Sequence, residues 1–589
     1  MFISKNYLQS KLNAFISHDK HANLFMAKKP ILIIWVLILF FQIKVKAQHT
    51  YIPLGQMSMQ VLDRLEIKSG ELNQNYFHSS NKSYRRKYIA DYLGTLNDSN
   101  LQLSNQDRFN IDYLKTDNFE WTNTPNTQSK RKFGKTFYQE KSAIFSVVNP
   151  DYSIVLNPVI GYDVSSERNQ ENFASLNNRG IELRGHIGKN IGFYSQVSDE
   201  ILIPNSYTRQ RFYYDSAFMY VNFYKPEGDG SISYFNSSGY ITANLNKYMD
   251  LQFGHTRNFI GDGYRTFILG NNQPEYLNLK LSTRFWKLNY TNIWAELRDY
   301  PVGRPTQWLR FSQPKHYMAT HHLSINLGKN FNLGIFETIL FQRDSGHSTT
   351  GFDLNYLNPI IFYKSVEDGL NSLDKSIIGM NFKWNIKKKV SLYGQFVFAE
   401  FVFNDLKAGN GSYTNKFALQ GGLKYIDVLG ISNLDLQGEV NISRPYMYTS
   451  YLPQNSFSNF RQSMAHPLGA NFKELVGIIR YQPMNRIFMM AKAIIYMQGL
   501  DTNGSNWGSN IRKSYYDNTN MYGNYIGQGV KVNTYLAELT TTWMPKHNLF
   551  IDAKYTYRKA SSLVDWFNEK TNYFSFAIRY NFSVRNYDY

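Results

Sequence analysis

The chain has 589 residues, 43% of them hydrophobic, and a mean hydropathy of −0.44. That is too polar for a bundle of membrane-spanning helices, and it suits a wall whose strands turn only alternate residues to lipid. The absence of cysteine excludes disulfides and thiolate metal sites. The net charge of +19 is spread along the chain, which argues for surface polyanions such as lipopolysaccharide phosphates and against a nucleic-acid module.

Lys28 and Lys29 precede an apolar run from Pro30 to Phe41, and Val45-Lys46-Ala47 offers the short residues a signal peptidase reads. Residues 1–47 are therefore expected to be a secretory signal peptide, cleaved before Gln48. The run is shorter than a spanning helix requires. Met26-Ala27-Lys28-Lys29 would make an ordinary start, which points to Met26 as the initiator and to residues 1–25 as an over-extended reading frame.

Residues 48–145 do not alternate. Val61, Leu62 and Leu65 fall at helical spacing. Ser83 could cap a helix carrying Ile89, Tyr92, Leu93 and Leu96, and Ser104-x-x-Asp107 resembles a capping box ahead of Phe109 and Tyr113. A small helical periplasmic region is expected, with a docking module or spacer preferred to a plug.

From about 146 to 589 one device recurs: alternating apolar residues, a short polar turn, and alternating apolar residues again. Leu323, Ile325 and Leu327 run into Gly328-Lys329-Asn330, then Phe331, Leu333 and Ile335. Met380, Phe382, Trp384 and Ile386 run into Lys387-Lys388-Lys389, then Val390 and Leu392. A period of two places each apolar set on one face, and a tight turn forces antiparallel pairing. Turns are predicted near 189, 247, 283, 329, 388, 430, 484 and 546, with long Asn-, Ser-, Gly- and Tyr-rich segments between the hairpins. Short turns on one rim and long loops on the other are the pattern of outer-membrane barrels. With both termini on the short-turn side, eight turns give 18 strands. The last strand is predicted to carry Phe574, Phe576, Ile578, Tyr580 and Phe582 and to alternate through to Tyr589. The fold class is thus all-β, a transmembrane antiparallel barrel with its loops at the cell surface. A soluble all-β protein would share the 16% aromatic content, and a propeller would need a fixed repeat that the irregular turn spacing does not supply.

The densest motif runs from Phe253 to Arg265. Its three glycines lack the spacing and the strand-to-helix context of a nucleotide site. His255, Arg257, Asn258, Asp262, Tyr264 and Arg265 are read as lumenal, and Arg257, Asp262 and Arg265 as a potential ion-pair cluster or anion site. His321 and His322 are neighbours in a strand, so they point to opposite faces and cannot chelate one metal. No GxSxG elbow occurs, and Glu367-Asp368 is a loop pair without a cleft. No catalytic residue, metal or cofactor is assigned, and the chain is read as non-enzymatic. In the loop from Asp501 to Gln528, Trp507, Tyr515, Tyr516, Tyr522 and Tyr525 offer aromatic faces among amides and hydroxyls. That composition suits a sugar, although an ordinary solvated loop would look the same.

The stretch Phe253-Gly-His-x-Arg-Asn-Phe-Ile-Gly-Asp-Gly-Tyr-Arg265 resembles the signature of Bacteroidetes members of the Wzi capsule-assembly family. Tyr356-Leu-Asn-Pro-Ile-Ile-Phe-Tyr363, Leu392-Tyr-Gly-Gln395 and the surroundings of Glu400 extend the resemblance, which runs from about residue 140 to the end. It implies an outer-membrane barrel of about 18 strands with a helical periplasmic element and a lectin-like role in holding surface polysaccharide. In the gliding members it implies a part in surface motility, with periplasmic or motility-machinery partners. A porin for small solutes is the alternative reading of the residues.

Overall fold

The computed structural model describes residues 50–589 apart from 97–100, 123–126, 169, 171–172, 189–190, 300–314, 345–348, 351, 364–373 and 502–503. The signal peptide, Met26 and Glu367-Asp368 lie outside the described residues.

Eighteen antiparallel strands close into one barrel. They are β1 (Tyr152–Glu167), β2 (Ala174–Ile187), β3 (Ile191–Ile203), β4 (Ile232–Asn244), β5 (Met249–Thr256), β6 (Tyr276–Phe285), β7 (Leu288–Arg298), β8 (Lys315–Leu327) and β9 (Phe331–Phe341). The second half comprises β10 (Lys375–Ile386), β11 (Val390–Glu400), β12 (Lys416–Tyr425), β13 (Leu434–Ser443), β14 (Phe472–Met484), β15 (Ile487–Leu500), β16 (Val530–Lys546), β17 (Leu549–Ser562) and β18 (Glu569–Tyr580). β18 closes on β1, with Tyr580 opposite Ile160 and Tyr573 opposite Glu167. Closure satisfies every strand edge, which a wall in lipid requires.

The period of two sorts the wall into two faces. In β10, Met380, Phe382 and Trp384 are 47%, 37% and 43% exposed, whereas Asn381, Lys383 and Asn385 between them are buried in the lumen. Exposed Trp286, Trp384 and Trp543 gather near the short-turn rim, as amphipathic rings do at a membrane interface.

In the wall, two expectations need correction. The turn expected near 283 falls at Trp286-Lys287: Phe285 still pairs with Leu288, and Trp286 takes a left-handed φ of 53°. The last strand does not run on to Tyr589. It stops at Tyr580, Asn581 adopts φ 54°, and residues 581–589 turn back into the lumen, where Phe582 and Tyr589 are buried.

The N-terminal residues fold into α1 (Met57–Ser69), α2 (Arg86–Thr95) and α3 (Asn105–Asp117). Gly70 ends α1 at φ 75°. α3 opens on a full capping box between Ser104 and Asp107. Ser83 caps nothing; α2 begins after Arg85 without a side-chain cap. The helices pack Leu62, Leu65, Ile89, Leu93, Ile111 and Leu114 into one cluster, and that cluster includes Met544 and Phe550 of the barrel.

The helices are fastened inside the short-turn mouth, which is the arrangement of a plug and not of a mere spacer. Lys383, fully buried, binds Asp63 at 3.0 Å and Glu66 at 2.7 Å. Lys424 adds a second bond to Asp63 at 2.5 Å. Arg64 spans Asp107 at 3.0 Å, Asp427 at 2.5 Å and Asp435. Tyr113 donates to Asn548 at 2.6 Å and Asn110 to Gln482 at 2.8 Å. Asp63, Arg64 and Glu66, all on α1, are thus among the side chains that fix the plug.

Candidate functional site

Above the plug, the segment 257–275 between β5 and β6 enters the lumen. Its entry depends on close approach at Gly263, where an added Cβ would stand 2.5 Å from a Glu439 carboxylate oxygen. Glu439 accepts the backbone N–H groups of Tyr264 at 2.7 Å and Arg265 at 3.0 Å, together with the Tyr393 hydroxyl at 2.9 Å. Gln395 accepts the N–H of Phe267 at 2.7 Å. Tyr393 and Gln395 belong to the Leu392–Gln395 stretch, so two sequence motifs far apart in the chain meet here.

The motif residues have separate partners. Arg257 pairs with Glu275 at 3.1 Å and lies over the Tyr220 ring. Asn258 accepts from Lys280 at 3.1 Å. Asp262 accepts from Ser80 of the plug at 2.6 Å and stands 3.8 Å from Lys383. Tyr264 donates to Asp588 of the C-terminal tail. Arg265 reaches Glu474 at 3.3 Å and Asp588 at 3.4 Å. Arg257, Asp262 and Arg265 therefore do not form one cluster; each ties the loop to a different wall or insert. His255 is not lumenal. It is exposed on the outer face of β5 with Phe253, because the alternation that buries Gln252 and Thr256 turns it outward.

The tail completes this knot. Burial pushes the Asp588 carboxyl up, but Arg265 and Lys492, the latter at 3.1 Å, outweigh it and hold the group well below the usual carboxylate range. Arg585 clamps Glu200 at 2.7 Å. From the connection after β13, Tyr448 donates to the carbonyl of Phe267 at 2.7 Å. His466 sits 2.8 Å from Glu474, and burial keeps the imidazole below its ordinary pKa despite that carboxylate. A cavity of about 500 Å³ persists between plug, tail and motif loop, lined among others by Met57, Arg64, Tyr264, Arg265, Glu538 and Tyr587.

His321 and His322 do point to opposite faces. His321 meets Asn292 at 2.6 Å on the outer wall, and His322 meets Asn381 at 2.9 Å in the lumen. The stretch Tyr356–Tyr363 lies against the outside of the barrel: the Trp294 indole donates to the carbonyl of Tyr356 at 2.7 Å, and Phe362 N–H donates to Glu337 at 2.7 Å. Among the described residues no three His, Asp or Glu side chains converge as a metal site.

The long-loop mouth is built differently. Asp501 accepts the N–H groups of Trp507 at 2.7 Å and Asn510 at 3.1 Å, and so folds the loop after β15. Ser514 then donates to the carbonyl of Tyr451 at 2.7 Å, and Gly523 N–H to that of Asn410 at 2.8 Å, which docks the loop on its neighbours. The result is a cluster of rings. Tyr451 stands 5.6 Å from Tyr516 and 6.3 Å from Tyr515, and Tyr413 stands 6.2 Å from Tyr515. Tyr516 is 73% exposed. Beneath them Lys416 lies 3.5 Å from the Tyr515 ring centre, and Glu400 bridges Lys416 at 2.8 Å and Lys375 at 2.9 Å. Burial, followed by the nearby Glu400, pushes the Tyr515 hydroxyl up to about 12, so it stays a neutral donor and acceptor.

Of the five loop aromatics named from sequence, Tyr515 and Tyr516 enter this cluster. Trp507 is spent on the scaffold, its ring pressed against Gly529, where a Cβ would come within 2.9 Å. Tyr522 is exposed beside Tyr413, and Tyr525 is exposed further along, its N–H bonded to Gln528. Sequence reasoning missed Tyr413, Tyr451, Lys375 and Lys416. The two lysines carried one signal: each opens a strand at its long-loop end.

No family model and no curated protein matches the chain. Among solved structures, it is similar to Wzi of Escherichia coli, described as an outer membrane protein involved in group 1 capsule assembly and a carbohydrate-binding β-barrel. The TM-score is 0.55 at 11% identity, covering 91% of this chain and 100% of that one. OprD of Pseudomonas aeruginosa gives 0.40 at 8% identity, over 72% of this chain and 94% of that one. OccAB1 of Acinetobacter baumannii gives 0.39 at 10% identity, over 73% and 95%. The likeness to Wzi is one of fold: this chain is a closed outer-membrane-type barrel of 18 antiparallel strands.

Proposed function

We propose that this barrel is a non-enzymatic outer-membrane protein that holds surface polysaccharide at its long-loop mouth. The observation that carries the reading is the cluster of Tyr413, Tyr451, Tyr515 and Tyr516 over Lys375, Lys416 and Glu400. Pyranose rings present CH faces that stack on exposed tyrosines, and their hydroxyls can pair with the part-exposed Glu400 carboxylate that the buried Lys375 and Lys416 hold just below. The likeness to a carbohydrate-binding barrel supports the same reading.

A solute channel is the competing function. Against it stands the filling of the lumen by the plug, the motif loop, the connection after β13 and the tail. The sequence resemblance to gliding members of the family, RemB of flavobacteria among them, adds a part in surface movement to the proposal. Titration of the purified barrel with capsule or slime polysaccharide from its own cells tests the reading. Saturable binding that Tyr515→Ala and Tyr516→Ala weaken supports it. No binding, together with steady conductance in a planar bilayer, replaces it with the channel.

A further inference from the structure

Between α3 and β1 the chain adds a short strand to the barrel sheet and a hairpin beyond it. Phe145–Val148 pairs with the start of β1, Phe145 opposite Leu156 and Val147 opposite Ile154. It occupies the edge that β18 leaves when it stops at Tyr580. The preceding hairpin adds to it: Tyr138 N–H donates to the carbonyl of Ile144 at 2.9 Å, and Phe133 and Phe137 face each other across its tip. The rings form a row, Phe133 to Phe137 at 6.3 Å and Phe137 to Phe145 at 5.5 Å.

This row continues the lipid-facing wall. Leu156 and Ile154 lie on the β1 face opposite lumenal Val155 and Asn157. Phe133 is 73% exposed, and Phe137 and Tyr138 are 44% exposed. Lys130, Arg131, Lys132 and Lys135 surround them, all exposed, while the hairpin carries one acid, Glu140. Aromatic rings flanked by cations at the rim of a spanning wall match the boundary between acyl chains and anionic headgroups.

We propose that residues 128–141 form an anchor that seats Phe133 and Phe137 at the headgroup boundary of the short-turn leaflet, with Lys130, Arg131, Lys132 and Lys135 against anionic phospholipid. The occupant is lipid rather than a protein, because the apolar face is continuous with the surface that already meets acyl chains and its cations are unbalanced. The inference rests on the membrane-spanning wall and is independent of the glycan site at the other mouth.

The absence of cysteine makes a single nitroxide label straightforward. The full chain carrying Phe133→Cys is labelled in nanodiscs of phosphatidylcholine mixed with phosphatidylglycerol. Phe576→Cys on the lipid-facing wall and Asn520→Cys in a long loop serve as references. The label at 133 should collide with oxygen more than with a water-soluble nickel chelate, as at 576. Spin-labelled phosphatidylglycerol should be enriched around the protein, and replacing Lys130, Arg131, Lys132 and Lys135 by Gln should lower that enrichment by roughly two- to fivefold. Heat-modified gel mobility confirms that each variant is a folded barrel. A label at 133 with the nickel accessibility of 520 overturns the proposal, and so does a lipid preference unmoved by the charge removal.

Discussion

The two mouths of this barrel are finished in opposite ways. At the short-turn mouth, charge is buried and spent: Lys383 and Arg64 each hold more than one carboxylate, and those carboxylates lie on the plug or beside it. At the long-loop mouth, rings are left facing solvent over a smaller set of charges. A buried ion pair is costly to break because the surviving charge has nowhere to go. An exposed ring costs little to keep and can exchange water for a ligand's face. One end therefore resists rearrangement, and the other keeps the exposed rings that the proposed binding role needs.

The largest expected effect comes from unbalancing the shut end. Lys383→Met leaves Glu66 buried without its cation and should weaken plug docking by about 3–5 kcal/mol. Hydrogen exchange across 57–69 should rise sharply, while polysaccharide affinity stays as in the native protein. A plug that exchanges as slowly as before would show that these ion pairs do not hold it.

Gly263→Ala probes the floor between the mouths. The added methyl would press on Glu439, and overpacking of this kind costs about 1–3 kcal/mol. The barrel should unfold at lower temperature on heat-modified gels. An unchanged transition would mean that the motif loop is not locked to Glu439.

Smaller effects belong to the open end. Tyr516→Ala or Tyr515→Ala should each lower polysaccharide affinity by about 0.5–1.5 kcal/mol in calorimetry, with no change in plug exchange. Loss of both properties together would break the contrast between the mouths.

The smallest expected signal is a pH dependence. Burial raises the Asp107 carboxyl, but Arg64 and Lys68 overcome it and hold the group below the usual carboxylate range. A lowered folded value means the stabilisation is complete above the unfolded value of about 4 and is lost as pH falls through the folded one. The difference in α3 exchange between native protein and Asp107→Asn should therefore be flat from about pH 5 to about pH 8 and shrink only below about pH 4.

The wall was legible in the sequence because its signal is local. Residues two apart decide which face they share, so Met380, Phe382 and Trp384 sort themselves without knowledge of any other strand. The lumen was not legible, because its contacts join distant positions: Tyr264 with Asp588, Gly263 with Glu439, Lys383 with Asp63. A helix bearing Asp63, Arg64, Glu66 and Lys68 looks solvated until the inward lysines of β10 and β12 are placed around it. The same reason explains the ring cluster at the long-loop mouth. Tyr515 and Tyr516 stood out in an Asn-rich loop, whereas Tyr413 and Tyr451 lie on other loops that only closure of the barrel brings alongside. His255 was misread through its motif, although its alternation with Phe253 already set it on the outer face.

A structure of the barrel with a short fragment of its own surface polysaccharide addresses the central claim most directly. Sugar rings stacked on Tyr515, Tyr516 and Tyr451, with hydroxyls reaching Glu400, are the expected result. A fragment lodged instead in the cavity behind Arg265, or none at the long-loop mouth at saturating concentration, would contradict it.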